Sequence, residues 1–174
     1  NTDTPNLYRT LRWNRGGLDY RYQVPNGTYT VRLKFAEMFH HSPGMRVFHV
    51  NINGQRVLSS FDIIAAAGGS RKAVDREFTV NVTGGQIHLN MVATVDNPQV
   101  NAIEILQQGG GTPPPPPPPP PDPKTIIRVN AGASAITDPS GNTWAADTGF
   151  LNGQAFHGSG TVSATDSERQ VSGH

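Results

Sequence analysis

The chain has 174 residues with 19 Gly, 15 Pro and no Cys, and its 14 Lys+Arg against 13 Asp+Glu leave a formal net charge of +1. That balance supplies no strong field toward nucleic acid or an anionic membrane, and no apolar run approaches the eighteen or so residues of a membrane span. Without cysteine no disulfide can staple a small fold, while the Gly, Pro, Thr, Asn and Val content suits short strands joined by tight turns.

The opening NTDTPNLYRT lacks a basic region followed by an apolar core, so either a signal has been removed or the chain is a piece of something longer. From Asp19 the chain reads DYRYQV, then Pro25-Asn26-Gly27, a turn signal between antiparallel strands. In the following TYTVRLKFAEMF, Tyr29, Val31, Leu33 and Phe35 alternate with Thr30, Arg32 and Lys34, the period of a half-buried strand. MRVFHVNINGQRVL repeats the pattern, with Phe48, Val50 and Ile52 on one face and Val47, His49, Asn51 and Asn53 on the other. Its Asn53-Gly54 is a strong hairpin signal. REFTVNV, the turn TGG, QIHLNMVAT and VNAIEIL complete six or so strands with no amphipathic helical stretch between them, which implies an all-β antiparallel sandwich.

Residues 109–124 read GGGTPPPPPPPPPDPK. Nine prolines in polyproline II reach about 28 Å and form a semi-rigid spacer between residues 1–108 and residues 125–174. After it, TIIRVNAGA predicts one more strand, and the loop-rich remainder is too poor in aliphatic residues to offset its chain entropy alone. The tail needs a partner.

LYRTLRW, GTYTVRLKFAE, RVFHVNINGQ, FDIIAAAGG, REFTV and VDNPQVNAIEI before the spacer, with IRVNAG and WAADTGF after it, resemble the malectin-type carbohydrate-binding family. The resemblance implies a jelly-roll-like sandwich whose opening strand here comes last, so residues 1–108 form the larger part of one domain and residues 125–174 its opening part. The tail then completes the sandwich of the same chain or of a neighbouring one. A rod fits poorly between chain ends that lie close together. This favours serial assembly, in which the tail adds a strand to an adjacent copy.

Carried over residue by residue, the resemblance places sugar contacts at Tyr8, Met38, Phe39 and Asp96, with Phe156 or Phe150 as a further aromatic from the tail. Met38 departs from the aromatic expected there and weakens one stacking surface. The same residues have plainer readings: Tyr8 and Phe39 as core or rim aromatics, Asp96 as the turn acid before Asn97-Pro98, and Glu37 as the ion-pair partner of Arg12 or Arg46. Glu37, Asp62 and Asp96 are the carboxyls a glycosidase would draw on, but no spacing marks a pair, so no catalytic residue is assigned. His40-His41 has no third ligand at a telling spacing, so no metal and no cofactor is expected. Asn26-Gly27-Thr28 and Asn81-Val82-Thr83 are N-glycosylation acceptor patterns in a eukaryotic secretory route.

The expected function is therefore a non-enzymatic extracellular or cell-surface repeat unit. It would assemble into a fibre or stalk with neighbouring copies of itself and, where the pocket is retained, bind oligosaccharide. The alternative is a carbohydrate-binding module of a larger secreted enzyme or adhesin.

Overall fold

The computed structural model describes residues 4–109 and 124–163, with side chains after the spacer described from residue 127. The proline spacer and the final stretch 164–174 lie outside the described residues. A 3-10 turn at Pro5–Tyr8 precedes β1 (Thr10–Trp13), β2 (Gly17–Gln23), β3 (Gly27–Ala36), β4 (Val47–Ile52), β5 (Gln55–Phe61) and a short helix α1 (Ile63–Ala67). There follow β6 (Ala73–Val82), β7 (Gln86–Val95), β8 (Gln99–Val100) and β9 (Ala102–Gln107). The tail supplies β10 (Lys124–Asn130), β11 (Ile136–Thr137), β12 (Thr143–Trp144) and β13 (Gln154–His157).

Two four-stranded sheets, ordered β10-β9-β3-β6 and β2-β7-β4-β5, pair antiparallel throughout. The alternation read in β3 and β4 sets their inner faces. Tyr29, Val31, Leu33 and Phe35 of the first sheet meet Phe48, Val50, Ile52, Ile87, Leu89 and Met91 of the second in one buried cluster. The Phe35, Phe48 and Phe61 rings lie 5.0 to 6.0 Å apart in tilted or edge-on pairs, a preferred aromatic geometry. Asn53 and Gly54 both take positive φ, 49° and 79°, and close the β4–β5 hairpin as their sequence predicts.

One element departs from the expectation. α1 is a helix where the sequence predicts none: the Asp62 side chain accepts from Ala65 N–H at 3.0 Å, and Gly68 at φ 73° ends the helix. β5, the second strand of the hairpin that Asn53-Gly54 predicts, shows no clean alternation because most of its positions lie at the surface. The first sheet is not half-buried along its full length either. A second cluster of Leu7, Tyr8, Leu11, Ala36, Met38, Ala73, Ala102, Trp144 and Val162 covers one end of its outer face. Lys34 is consequently buried and donates to Asp75 at 2.6 Å.

The tail completes this body. β10 lies at the edge of the first sheet against β9, with Lys124 opposite Gln107 and Val129 opposite Ile103, and Val129 is fully buried. β13 lies beside β1, which also pairs with β8 to form a small third sheet. Between them, Asp147 accepts from Arg12 Nε, Tyr20 Oη and Gly132 N–H. Burial, then the Asp147 charge, pushes the Tyr20 and Tyr22 hydroxyls up, so both stay neutral donors into the tail. Gly132 has φ +74°, and a Cβ there would lie 2.1 Å from the Leu11 carbonyl oxygen, so this close approach admits only glycine. In the described structure the tail therefore occupies the sheet of its own chain.

Candidate functional site

Where β1, β8 and β13 meet the loops after β3 and β7, a cavity of about 290 Å³ opens, lined by Leu11, Trp13, Phe39, Arg46, Asp96, Asn97, Gln99 and Phe156. Its three aromatics come from separate places. Trp13 ends β1, Phe39 stands on the loop after β3 with 68% of its surface exposed, and Phe156 belongs to β13, where it lies opposite Leu11. Phe39 meets the His40 ring edge-on at 5.1 Å.

A buried ion pair builds the polar side. Glu37, at the end of β3, is fully buried and takes Arg46 Nε at 2.6 Å on one carboxylate oxygen. Its other oxygen accepts the backbone N–H groups of Phe39 at 2.9 Å and His40 at 3.1 Å, which fixes the loop that presents both rings. Arg46 also donates to the Asn97 carbonyl and lies 3.4 Å from Asp96. Asp96, at φ 55°, accepts a 2.7 Å hydrogen bond from His40 Nε2 and another from Asn97 Nδ2 at 3.0 Å. Burial pushes the Asp96 carboxyl up, but the His40 hydrogen bond, the Arg46 charge and the Asn97 backbone N–H outweigh it and hold it below the ordinary aspartate value. As an ionised acceptor it can receive only donors, so His40 presents N–H to it. Gln99 is buried and donates Nε2 to the Ala36 carbonyl at 3.0 Å, while its Oε1 accepts no hydrogen bond among the described residues.

Of the residues singled out in the sequence, Phe39, Asp96 and Phe156 come together here. Tyr8 and Met38 do not line the cavity. Tyr8 is fully buried and donates to Asp75 at 2.6 Å, and Met38 packs in the second cluster against the position of Gly158. Phe150 lies elsewhere, with the Arg12 guanidinium 3.5 Å above its ring. Trp13, Arg46 and Gln99 carry no local mark of a contact, because each joins the cavity only through pairings between distant parts of the chain, and His40 acts beside it through its hydrogen bond to Asp96. The Glu37 partner proves to be Arg46, since Arg12 is engaged by Asp147.

The remaining carboxyl candidate, Asp62, caps α1 and accepts from Gly44 N–H. Asp96 is thus the one carboxylate lining the cavity among the described residues, and no group of three His, Cys, Asp or Glu able to hold a metal occurs among them. A larger concavity of about 840 Å³ opens between the edge strands β5 and β6, but it contains none of these residues, and its aromatic, Phe78, packs against the core.

The Malectin domain model matches residues 1–108. Mouse malectin is 32% identical over 114 residues, covering 58% of this chain and 39% of the relative. A probable leucine-rich-repeat receptor-like serine/threonine-protein kinase of Arabidopsis thaliana is 33% identical over 118 residues, covering 57% of this chain and 12% of the kinase. Among solved structures, the ANXUR2 extracellular domain of Arabidopsis thaliana superposes with a TM-score of 0.53 at 26% identity, covering 57% of this chain and 32% of that one. The chain therefore spans well under two thirds of each of these proteins. No helix among the described residues is long and apolar enough to cross a membrane.

Proposed function

The chain belongs to the malectin domain family, and from that premise we propose that its cavity binds a neutral oligosaccharide without turning it over, as part of an extracellular or cell-surface unit. The observation that carries the reading is the convergence of Trp13, Phe39 and Phe156 on one cavity with the ionised Asp96. Aromatic faces cover the apolar side of a pyranose, and a carboxylate accepts its hydroxyls through charge-assisted hydrogen bonds. The Gln99 oxygen, which accepts no hydrogen bond among the described residues, offers a further acceptor.

Neutral sugar is favoured because Arg46, the lining cation, is already held by Glu37, Asn97 and Asp96. A sugar acid would meet the Asp96 charge with no free cation to offset it. Hydrolysis asks for two carboxyls roughly 5 to 10 Å apart across the bond, and a single lining carboxylate supplies only one. Titration calorimetry of the full chain with maltose, cellobiose and a glucuronic-acid disaccharide tests this. Saturable binding of a neutral sugar, weakened at least about tenfold in Phe39→Ala and Asp96→Asn, supports it. Absence of saturable binding overturns it, and so does turnover that disappears in Asp96→Asn.

We also propose that copies assemble serially, each tail completing the sandwich of the next. The tail has little core of its own but pairs two of its strands, β10 and β13, with strands of the body, and nine consecutive prolines precede it. The contacts described within one chain are equally available to a tail from another. Light scattering over a range of concentrations should give discrete oligomers. A monomer at every concentration would leave closure within the chain as the arrangement.

A further inference from the structure

The cavity is divided between two parts of the chain. Trp13, Phe39, Asp96 and Gln99 stand on the body, whereas Phe156 arrives on β13 of the tail. β13 is an outer strand whose four residues are all exposed, so no core side chain of its own anchors it. It is held by backbone pairing, from Thr10 opposite His157 to Trp13 opposite Gln154, and by hydrogen bonds just beyond. Gly158 N–H donates to the Arg9 carbonyl at 2.6 Å, and Arg12 donates to the Gly153 carbonyl at 2.6 Å. Edge strands with few buried contacts are the segments that open locally in folded proteins.

Resting on the oligosaccharide reading above, we propose that sugar binding and tail docking are linked: the sugar binds tightly only while β13 lies on β1, and a bound sugar clamps β13 there. With β13 undocked, the cavity loses its Phe156 wall, and Leu11 opposite it on β1 is uncovered to water. The sugar is left with one less apolar surface and more water around Asp96. Linkage is reciprocal, so whatever factor docking contributes to affinity, the sugar returns to docking. Where the tail comes from a neighbouring copy, the same linkage makes the sugar a clamp on the joint between copies.

The test is hydrogen exchange of the full chain with maltose and cellobiose as probes. At a concentration about 100 times the dissociation constant, amides of residues 154–158 should exchange up to about 100-fold more slowly, while those of the exposed edge strand β5, which opens locally and lies away from the cavity, stay unchanged. A loosened tail supplies the converse. Gly149→Ala places a Cβ 2.4 Å from the Tyr22 ring in a glycine of φ +79°, at a position that lines no part of the cavity. It should weaken sugar binding several-fold. Should that variant fail to fold, exchange in the unaltered chain decides alone. Saturable binding with no slowing at residues 154–158 overturns the linkage and leaves the oligosaccharide reading standing. Failure of both sugars to saturate overturns the two together.

Discussion

Glu37 illustrates how one side chain serves both stability and the site. Its carboxylate pairs with Arg46 where both are buried and orders the loop that carries Phe39 and His40. Glu37→Gln leaves the buried Arg46 charge with only the Asn97 carbonyl and the partly exposed Asp96 carboxylate 3.4 Å away, and should cost about 3 kcal/mol in chemical denaturation. Phe39→Ala removes a mostly exposed ring and should leave the unfolding midpoint nearly unchanged while weakening sugar binding. Three carboxyls set the acid limit. At Asp19, Asp96 and Asp138 burial pushes the value up, but hydrogen bonds from His88 and Asn90, His40, and Trp144 and Asn142 respectively outweigh it, with the Arg46 charge assisting at Asp96. All three lie below 3.8 when folded, so their stabilising contribution is complete above that value and is lost as pH falls through the folded values. Thermal midpoints should drop below pH 3.8, and Asp138→Asn should flatten part of that drop.

Among the elements, those with a clear period were legible and those made by local caps or long-range pairing were not. β3 and β4 alternate in sequence and alternate in burial, because each presents one face to the core. α1 is too short for a period, yet its Asp62 cap and Gly68 terminator stand in the sequence as FDIIAAAGG and mark it. Asp62→Ala should cost about 1 kcal/mol and loosen the Gly44 turn as well. β1 and β13 are short strands that pair with each other across more than a hundred residues, so their pairing leaves no local trace. The junction of tail and body is tight where Gly132 meets Leu11. Gly132→Ala should lower stability by about 2 kcal/mol or more and raise proteolysis after β10.

At the scale of the whole molecule, the tail adds Val129 and Ala131 to a main core supplied by the body, and Trp144 and Val162 to the second cluster. Removing the tail uncovers the β9 edge, strips the Trp144 and Val162 contacts from the second cluster and opens one side of the cavity. Residues 1–108 alone should therefore unfold with reduced cooperativity and bind a hydrophobic dye. A fully cooperative, stable fragment would show the tail to be an appendage. By itself the sequence determined the all-β class and the inner faces of the long strands, because apolar periodicity reports which side of a segment must be buried. Only the tertiary structure decided that Phe39, Asp96 and Phe156 share a cavity with Trp13 and Gln99 while Tyr8 and Met38 are sealed beneath the second layer. Which side of a strand end faces solvent depends on what packs over it, and here that covering comes from residues far away along the chain.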